Sequence, residues 1–92
     1  MLRKPYNPKA FLELRKNIRP GLVARTQIIS FLEERAMNAK TITQKSKLSY
    51  AAVLYHLNLL ETEGIIIRKG KKPFLWELTG AGQQRLRFPY MR

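Results

Sequence analysis

The sequence predicts a fold of the α+β class, mainly α-helical with one small β-hairpin. Two patterns carry this prediction: apolar residues recur at helical spacing in several segments, and a strand, turn and strand pattern lies towards the C-terminal end. The chain has 92 residues, enough for one modest hydrophobic core. With 45% apolar residues it is too hydrophobic for a disordered basic tail. We therefore expect one small folded unit, and a large multidomain enzyme is excluded.

The charge of the chain is strongly positive. Lys and Arg number 18 against six acidic residues, all of them Glu, so the formal net charge is +12. A charge of this size attracts polyanions and raises the rate of encounter with them. The cations are concentrated in residues 1–20 and 40–72, whereas residues 21–39 are balanced. Nucleic acid is the expected partner.

Several classes of function are disfavoured by what the sequence lacks. It has no cysteine, which excludes disulfides and thiolate zinc sites. No apolar stretch is long enough to span a membrane and no signal peptide is visible, so we expect a cytoplasmic protein without membrane contact. The sequence shows no nucleophile, acid/base pair or metal cluster, because the single histidine, His56, is expected to be packed, and Glu61 and Glu63 are expected to be solvated on different helix faces. We expect neither enzyme activity nor a cofactor or metal.

Residues 1–20 are predicted to form a basic arm with a short helix, and residues 21–92 are predicted to form the main domain. Asn7 can cap the helix and Pro8 suits its first position, so that the helix would extend roughly over residues 8–17. Its apolar residues at helical spacing are Phe11, Leu14 and Ile18.

A second helix is predicted over residues 21–36, after the break at Pro20 and Gly21. Its wide apolar face comprises Leu22, Ala24, Ile28, Ile29, Phe31, Leu32 and Ala36. Such a wide arc needs two partners. One is the domain core, and the other is either the N-terminal helix or a second copy of the chain.

Two further helices and a tight link follow. Asn38 or Thr41 can cap a short helix that ends near Ser46, and Ser49 can cap the next helix, over residues 50–63. The buried residues expected in these two helices are Ala39, Ile42, Val53, Leu57 and Leu60, with Ala52 and His56 on the flank. Gly64 ends the longer helix as a left-handed residue.

The segment after Gly64 predicts a hairpin. Residues 65–69 and 74–78 read as strands, and the turn over residues 70–73 completes a tip with four cations. Trp76 is expected in the core. A closing helix is predicted from a cap at Thr79 to about residue 88.

This element order is the layout of a winged helix-turn-helix, in which one helix enters the major groove of DNA and the hairpin, or wing, follows the backbone. Two motifs also resemble known regulators. From residue 48 to residue 66 the chain reads Leu-Ser-Tyr-Ala-Ala-Val-Leu-Tyr-His-Leu-Asn-Leu-Leu-Glu-Thr-Glu-Gly-Ile-Ile, and from residue 78 to residue 82 it reads Leu-Thr-Gly-Ala-Gly. Both are similar to the core of the arsenical-repressor-type (ArsR) and multiple-antibiotic-repressor-type (MarR) proteins, over about residues 40–82.

The resemblance implies a transcriptional regulator that binds specific double-stranded DNA, often as a symmetric dimer. A homodimer through the N-terminal or C-terminal helices is therefore expected. The metal sensors of the family use Cys pairs, which this chain lacks, so thiolate metal sensing is rejected. The sequence points to no small-molecule effector.

The recognition helix, about residues 49–63, presents an almost uncharged face to the groove. The candidate contacts on it are Ser49, Tyr50, Ala51, Leu54, Tyr55 and Asn58. No Arg or Lys lies between residues 48 and 67, and only Asn58 suits direct reading of a base, namely adenine. Ala51 and Leu54 could meet thymine methyl groups. We therefore expect few direct contacts between side chains and base edges.

Phosphate contacts should supply much of the affinity. The candidates lie in the link and in the basic wing, residues 68–73, and they are Lys45, Lys47, Arg68, Lys69, Lys71 and Lys72. The prediction is moderate specificity on strong background binding. The alternative is an accessory winged-helix subunit of replication, transcription or ribosomal machinery, with generic nucleic-acid or protein binding.

Overall fold

The computed structural model describes residues 6–14 and 16–80. Their elements are a 3-10 turn (Pro8–Ala10), helices α1 (Arg19–Glu34), α2 (Ala39–Lys45) and α3 (Tyr50–Thr62), and strands β1 (Ile66–Lys69) and β2 (Leu75–Leu78). This is the predicted mainly α-helical winged helix-turn-helix. The closing helix predicted up to residue 88 falls beyond the described residues, apart from its first positions.

The predicted helix over residues 8–17 is wrong, since the described residues of this range form one 3-10 turn and no α-helix. Asn7 does cap it, with its side-chain oxygen accepting from the Lys9 amide at 2.8 Å. The turn does not continue because side chains from elsewhere bind the amides that follow it. Leu12 N donates to Asn17 Oδ1 at 2.7 Å, and the next two amides donate to Glu63 of α3.

Helix α1 begins and ends about two residues before its predicted bounds. Pro20 lies in its first turn, where a missing amide hydrogen is harmless, and the chain becomes extended at Arg35. Five members of the predicted apolar face are buried, namely Leu22, Ala24, Ile28, Ile29 and Leu32. Phe31 is half-buried, and Ala36 lies beyond the helix.

Helices α2 and α3 form as predicted, and local signals explain their bounds. Asn38 Oδ1 accepts from the Thr41 amide at 2.8 Å and begins α2. Ser49 Oγ accepts from the Ala52 amide at 3.1 Å and begins α3. Gly64 follows α3 with φ of 78°, a left-handed conformation that favours glycine.

The hairpin is antiparallel and pairs Ile66 with Leu78 and Arg68 with Trp76. The segment before α2 adds one further bridge, between Met37 and Trp76. This bridge was not predicted, because a single residue pair leaves no periodic signal in the sequence. It ties the hairpin to the start of the helix-turn-helix.

One hydrophobic core lies between the helices and the hairpin. Its buried members include Ile28, Ile29, Ile42, Val53, Leu57, Leu60, Ile65, Ile66 and Trp76. Ala10 and Leu12 of the N-terminal segment belong to the same cluster. None of the helices described is long and apolar enough to cross a membrane.

Candidate nucleic-acid interface

The outer face of α3 carries the residues predicted to read DNA. Tyr50 and Tyr55 are exposed by 53% and 54%, and Ala51 and Asn58 are also exposed. Leu54 is half-buried and packs against the core. The α3 face is therefore largely apolar and aromatic at its surface, as expected from the sequence.

A groove of about 1010 Å³ lies between α2, α3 and the hairpin. Its lining includes Tyr50, Leu54 and Asn58 of α3, and Arg68, Lys72, Phe74 and Trp76 of the hairpin. Lys40 of α2 also lines it, an exposed cation that the sequence analysis missed. Its position two residues after the Asn38 cap, in the first turn of α2, was the available signal. The groove thus brings predicted helix contacts and predicted wing contacts onto one surface.

The predicted phosphate-binding cations differ in what they contact. Lys69 Nζ forms an ion pair with Glu77 at 2.7 Å, and the Lys45 ammonium lies 5.8 Å from the centroid of the Phe31 ring. Lys47 and the two tip residues Lys71 and Lys72 are exposed. Within residues 6–14 and 16–80, no acidic side chain pairs with these three lysines. Their charges are available to a ligand.

The Arg68 side chain is held by contacts with other side chains of the same protein. Its Nε and Nη2 donate to the two carboxylate oxygens of Glu61 at 3.0 and 2.7 Å, so the pair is bidentate. The guanidinium also lies 4.9 Å from the Trp76 ring centroid and 5.0 Å from that of Phe74. The hydrogen bond from Arg68 lowers the pKa of Glu61. The expectation that Glu61 is merely solvated is wrong.

Glu63 is also not a free surface charge. Its carboxylate accepts from the amides of Glu13 and Leu14 at 2.9 and 2.8 Å. The expectation that it is solvated is wrong because the N-terminal segment folds back over the end of α3. This contact spans about 50 residues of sequence, so no local pattern could indicate it.

A buried arginine lies behind α3. Arg25 is 3% exposed; its Nε donates to Ala10 O at 2.7 Å, its Nη2 to Asn17 Oδ1 at 3.1 Å, and its Nη1 lies 3.4 Å from His56 Nδ1. This residue was not predicted from the sequence. Its signal was position: Arg25 follows Leu22 by three residues and therefore lies on the buried face of α1.

His56 is packed and hydrogen-bonded, as predicted. Because a guanidinium has donors only, His56 Nδ1 accepts from Arg25 and the imidazole is neutral. Burial and the charge of Arg25 both lower the pKa of His56. In the described part of the chain, no group of three His, Cys, Asp or Glu side chains could hold a metal ion.

Comparison with known proteins agrees with this geometry. The family model described as "Bacterial regulatory protein, arsR family" matches residues 23–68, half of the chain, from α1 to β1. Among curated protein sequences there is no match.

Two solved structures share the fold. One is described as a possible transcriptional regulator for arsenical resistance, with a TM-score of 0.63, 18% identity and coverage of 75% of this chain and 73% of that chain. The other is HlyU from Vibrio cholerae N16961, with a TM-score of 0.60, 19% identity and coverage of 76% and 82%. With the family match, these findings show that the chain belongs to the arsR family of bacterial regulatory proteins and is a non-enzymatic, DNA-binding transcription regulator.

Proposed function

We propose that this regulator binds double-stranded DNA with α3 in the major groove and the hairpin tip on the phosphate backbone. The observation that carries the proposal is the groove, where α3 residues such as Asn58 and basic residues such as Lys72 lie on one surface. A duplex lying on this surface would meet base-reading side chains and cations together. The alternative of an accessory nucleic-acid-binding subunit is an outcome of the tests below.

Base reading would rest on few side chains. The Asn58 amide suits adenine, and Ala51 and Leu54 suit thymine methyl groups. Ser49, Tyr50 and Tyr55 would bind phosphates or base edges. Since no cation lies on the exposed face of α3, we expect moderate specificity above strong background binding.

Backbone binding would rest on the exposed lysines. Lys71 and Lys72 at the tip, together with Lys47 in the link, are supported by their exposure and by the absence of an acidic partner among the described side chains. Lys45 and Lys69 would contribute less, because each already lies against an aromatic ring or a carboxylate.

A salt titration of duplex binding tests the backbone contacts. We expect the magnitude of the negative slope of the logarithm of the association constant against the logarithm of salt to fall by about 1.8 when Lys71 and Lys72 are both changed to Ala, roughly 0.9 for each lost phosphate contact. The matched control changes Lys16 and Arg19 to Ala, which removes the same charge from exposed positions before α3. An equal change of slope in both double variants would show that the tip makes no particular contact.

Selection from a random duplex pool tests base reading. We expect a consensus with an adenine that Asn58→Ala no longer selects. An accessory subunit with generic binding would return no consensus, and that result would overturn the proposed regulator function at specific sites.

We further propose that the regulator acts as a homodimer in the cytoplasm. The support lies in apolar side chains that a second copy could cover, namely Leu14 and Ile18, which are 69% and 61% exposed. Sizing of the selected complex tests this: a palindromic consensus with two chains per duplex is expected, and one chain on a single half-site contradicts it.

A further inference from the structure

The Arg68 side chain joins three parts of the interface. It belongs to β1, its guanidinium binds Glu61 of α3, and it stacks on Phe74 and Trp76 of the returning arm of the hairpin. Trp76 is in turn paired with Met37, just before α2. The guanidinium therefore links the wing to the surface of the recognition helix, in addition to the core that the two share.

We propose that Arg68 is a positioning residue, which sets the wing against α3, and that it does not bind phosphate itself. This inference rests on the proposed DNA binding. It assigns the phosphate contacts of the wing to the tip lysines, and it assigns to the Glu61–Arg68 pair the placement of those lysines relative to Asn58.

The charge of the pair supports this role. Each guanidinium hydrogen bond goes to a carboxylate oxygen, so Glu61 neutralises the cation that a phosphate would need. A neutralised pair releases few counterions on binding DNA. Arg68 should then contribute to affinity and to the salt slope only through the tip lysines that it places.

The geometry requires arginine rather than any cation. Only a planar guanidinium can bind a carboxylate through two parallel hydrogen bonds while its faces lie against aromatic rings. A lysine keeps the charge but not this arrangement. The conservative substitution therefore separates positioning from phosphate binding.

Duplex binding of Arg68→Lys and Arg68→Met gives the first test. If Arg68 positions the wing, both variants lose affinity by a similar factor, about threefold to tenfold, and both change the salt slope alike, because the same tip lysines are misplaced. If Arg68 binds phosphate, Arg68→Lys behaves like the wild type and Arg68→Met lowers the magnitude of the slope by about 0.9. The second result would overturn the proposal.

The partner carboxylate gives the second test. Glu61→Gln should weaken binding, and adding it to Arg68→Met should cause no further loss, since the pair is already broken. Glu77→Gln is the matched control, because it removes the same charge from the hairpin and leaves the Glu61–Arg68 contact intact. An increase of affinity in Glu61→Gln, as expected from removing an acid near DNA, would contradict the proposal.

Hydrogen exchange of the free protein gives a test that needs no DNA. Arg68→Lys should speed exchange of the hairpin amides that pair β1 with β2 and leave those of α1 unchanged. If the wild-type chain bound no duplex, the proposed function would be wrong, and unchanged exchange in the hairpin would independently overturn the positioning role.

Discussion

Arg25 is a buried charge in which every guanidinium nitrogen has an acceptor. Its partners come from the N-terminal segment and from α3, so one side chain connects elements that are distant in sequence. Burial lowers the pKa of Arg25, which is the physical cost of removing this cation from water. Hydrogen bonding offsets that cost and leaves Ala10 O dependent on the arginine.

Arg25→Met is expected to lower the free energy of unfolding by about 1 to 3 kcal/mol, because buried acceptors lose their donor. Gly21→Ala should also destabilise the wild type, since a Cβ at this position would lie 2.8 Å from Arg25 Nη1. In the Arg25→Met background the same Gly21→Ala change should become stabilising, because alanine favours the helix and no longer meets the guanidinium. Urea unfolding of the four proteins measures both effects, and a Gly21→Ala effect of one sign in both backgrounds contradicts the contact.

His56 is expected to make the free energy of unfolding depend on pH, with a sign set by its lowered pKa. Its pKa in the folded state is below the ordinary value of 6.5, so the unfolded chain takes up a proton first as the pH falls. The free energy of unfolding should be steady above pH 6.5 and should decrease below it, until the folded-state pKa is passed. Urea unfolding from pH 7.5 to 5 measures this, with His56→Gln as the control that lacks the decrease. The contribution of Glu61, whose pKa is lowered from 4.5 by its hydrogen bond with Arg68, is lost at lower pH.

At the scale of elements, local sequence signals correctly predicted those helix ends that are formed by hydrogen bonds between residues close in sequence. Asn38, Ser49 and Gly64 set the bounds of α2 and α3, and each acts within a few residues of its own position. The 3-10 turn had an equally good cap at Asn7, yet it did not become a helix. Asn17 and Glu63 accept from the amides that follow the turn, and a competitor as distant in sequence as Glu63 cannot be identified from the pattern.

The candidate interface was predictable to a similar extent. The exposed face of α3 followed from helical spacing, because the buried residues of that helix define the opposite side. Which cations are paired with a carboxylate did not follow from the spacing. The partner of Arg68 lies seven residues away in another element, and that of Lys69 lies across the hairpin. Sequence indicates the sign of a charge but not which carboxylate neutralises it.

Ser49→Ala is expected to lower the free energy of unfolding by about 1 kcal/mol, because the Ala52 amide loses its cap. Ser30→Ala is the matched control: it makes the same chemical change on the exposed surface of α1, where the hydroxyl only donates to the Thr26 carbonyl. Chemical denaturation measures both. Equal effects of the two substitutions would show that Ser49 does not act as a cap.

On the scale of the whole molecule, the N-terminal segment is part of the packed structure. Lys9 is fully buried and pairs with Glu33 at 2.8 Å, and Asn7 N donates to Thr26 Oγ1 at 3.1 Å. Ala10 and Leu12 enter the common core. The division between residues 1–20 and 21–92 stays a prediction, but the described residues of this segment share their contacts with α1 and α3.

Leu12→Ala is therefore expected to destabilise the whole fold by about 2 to 5 kcal/mol, the usual cost of removing a buried leucine side chain. Leu14→Ala, two residues further on, should cost the monomer, at protein concentrations too low for dimers, less than about 0.5 kcal/mol because Leu14 is 69% exposed there. Thermal or urea unfolding distinguishes the two. If both changes were tolerated, the N-terminal segment would be an appendage to the core and not a part of it.

The bridge between Met37 and Trp76 divides the hairpin into a base and a tip. Met37 N donates to Trp76 O at 3.1 Å and Trp76 N to Met37 O at 2.8 Å, which fixes the base to the segment entering α2. The tip, residues 70–73, extends beyond the paired strands. Residues inserted at the tip would change how far the hairpin reaches along a duplex without moving α3. In the proposed binding mode, the length of the tip therefore sets the extent of the backbone contact independently of the contacts that α3 makes with the bases.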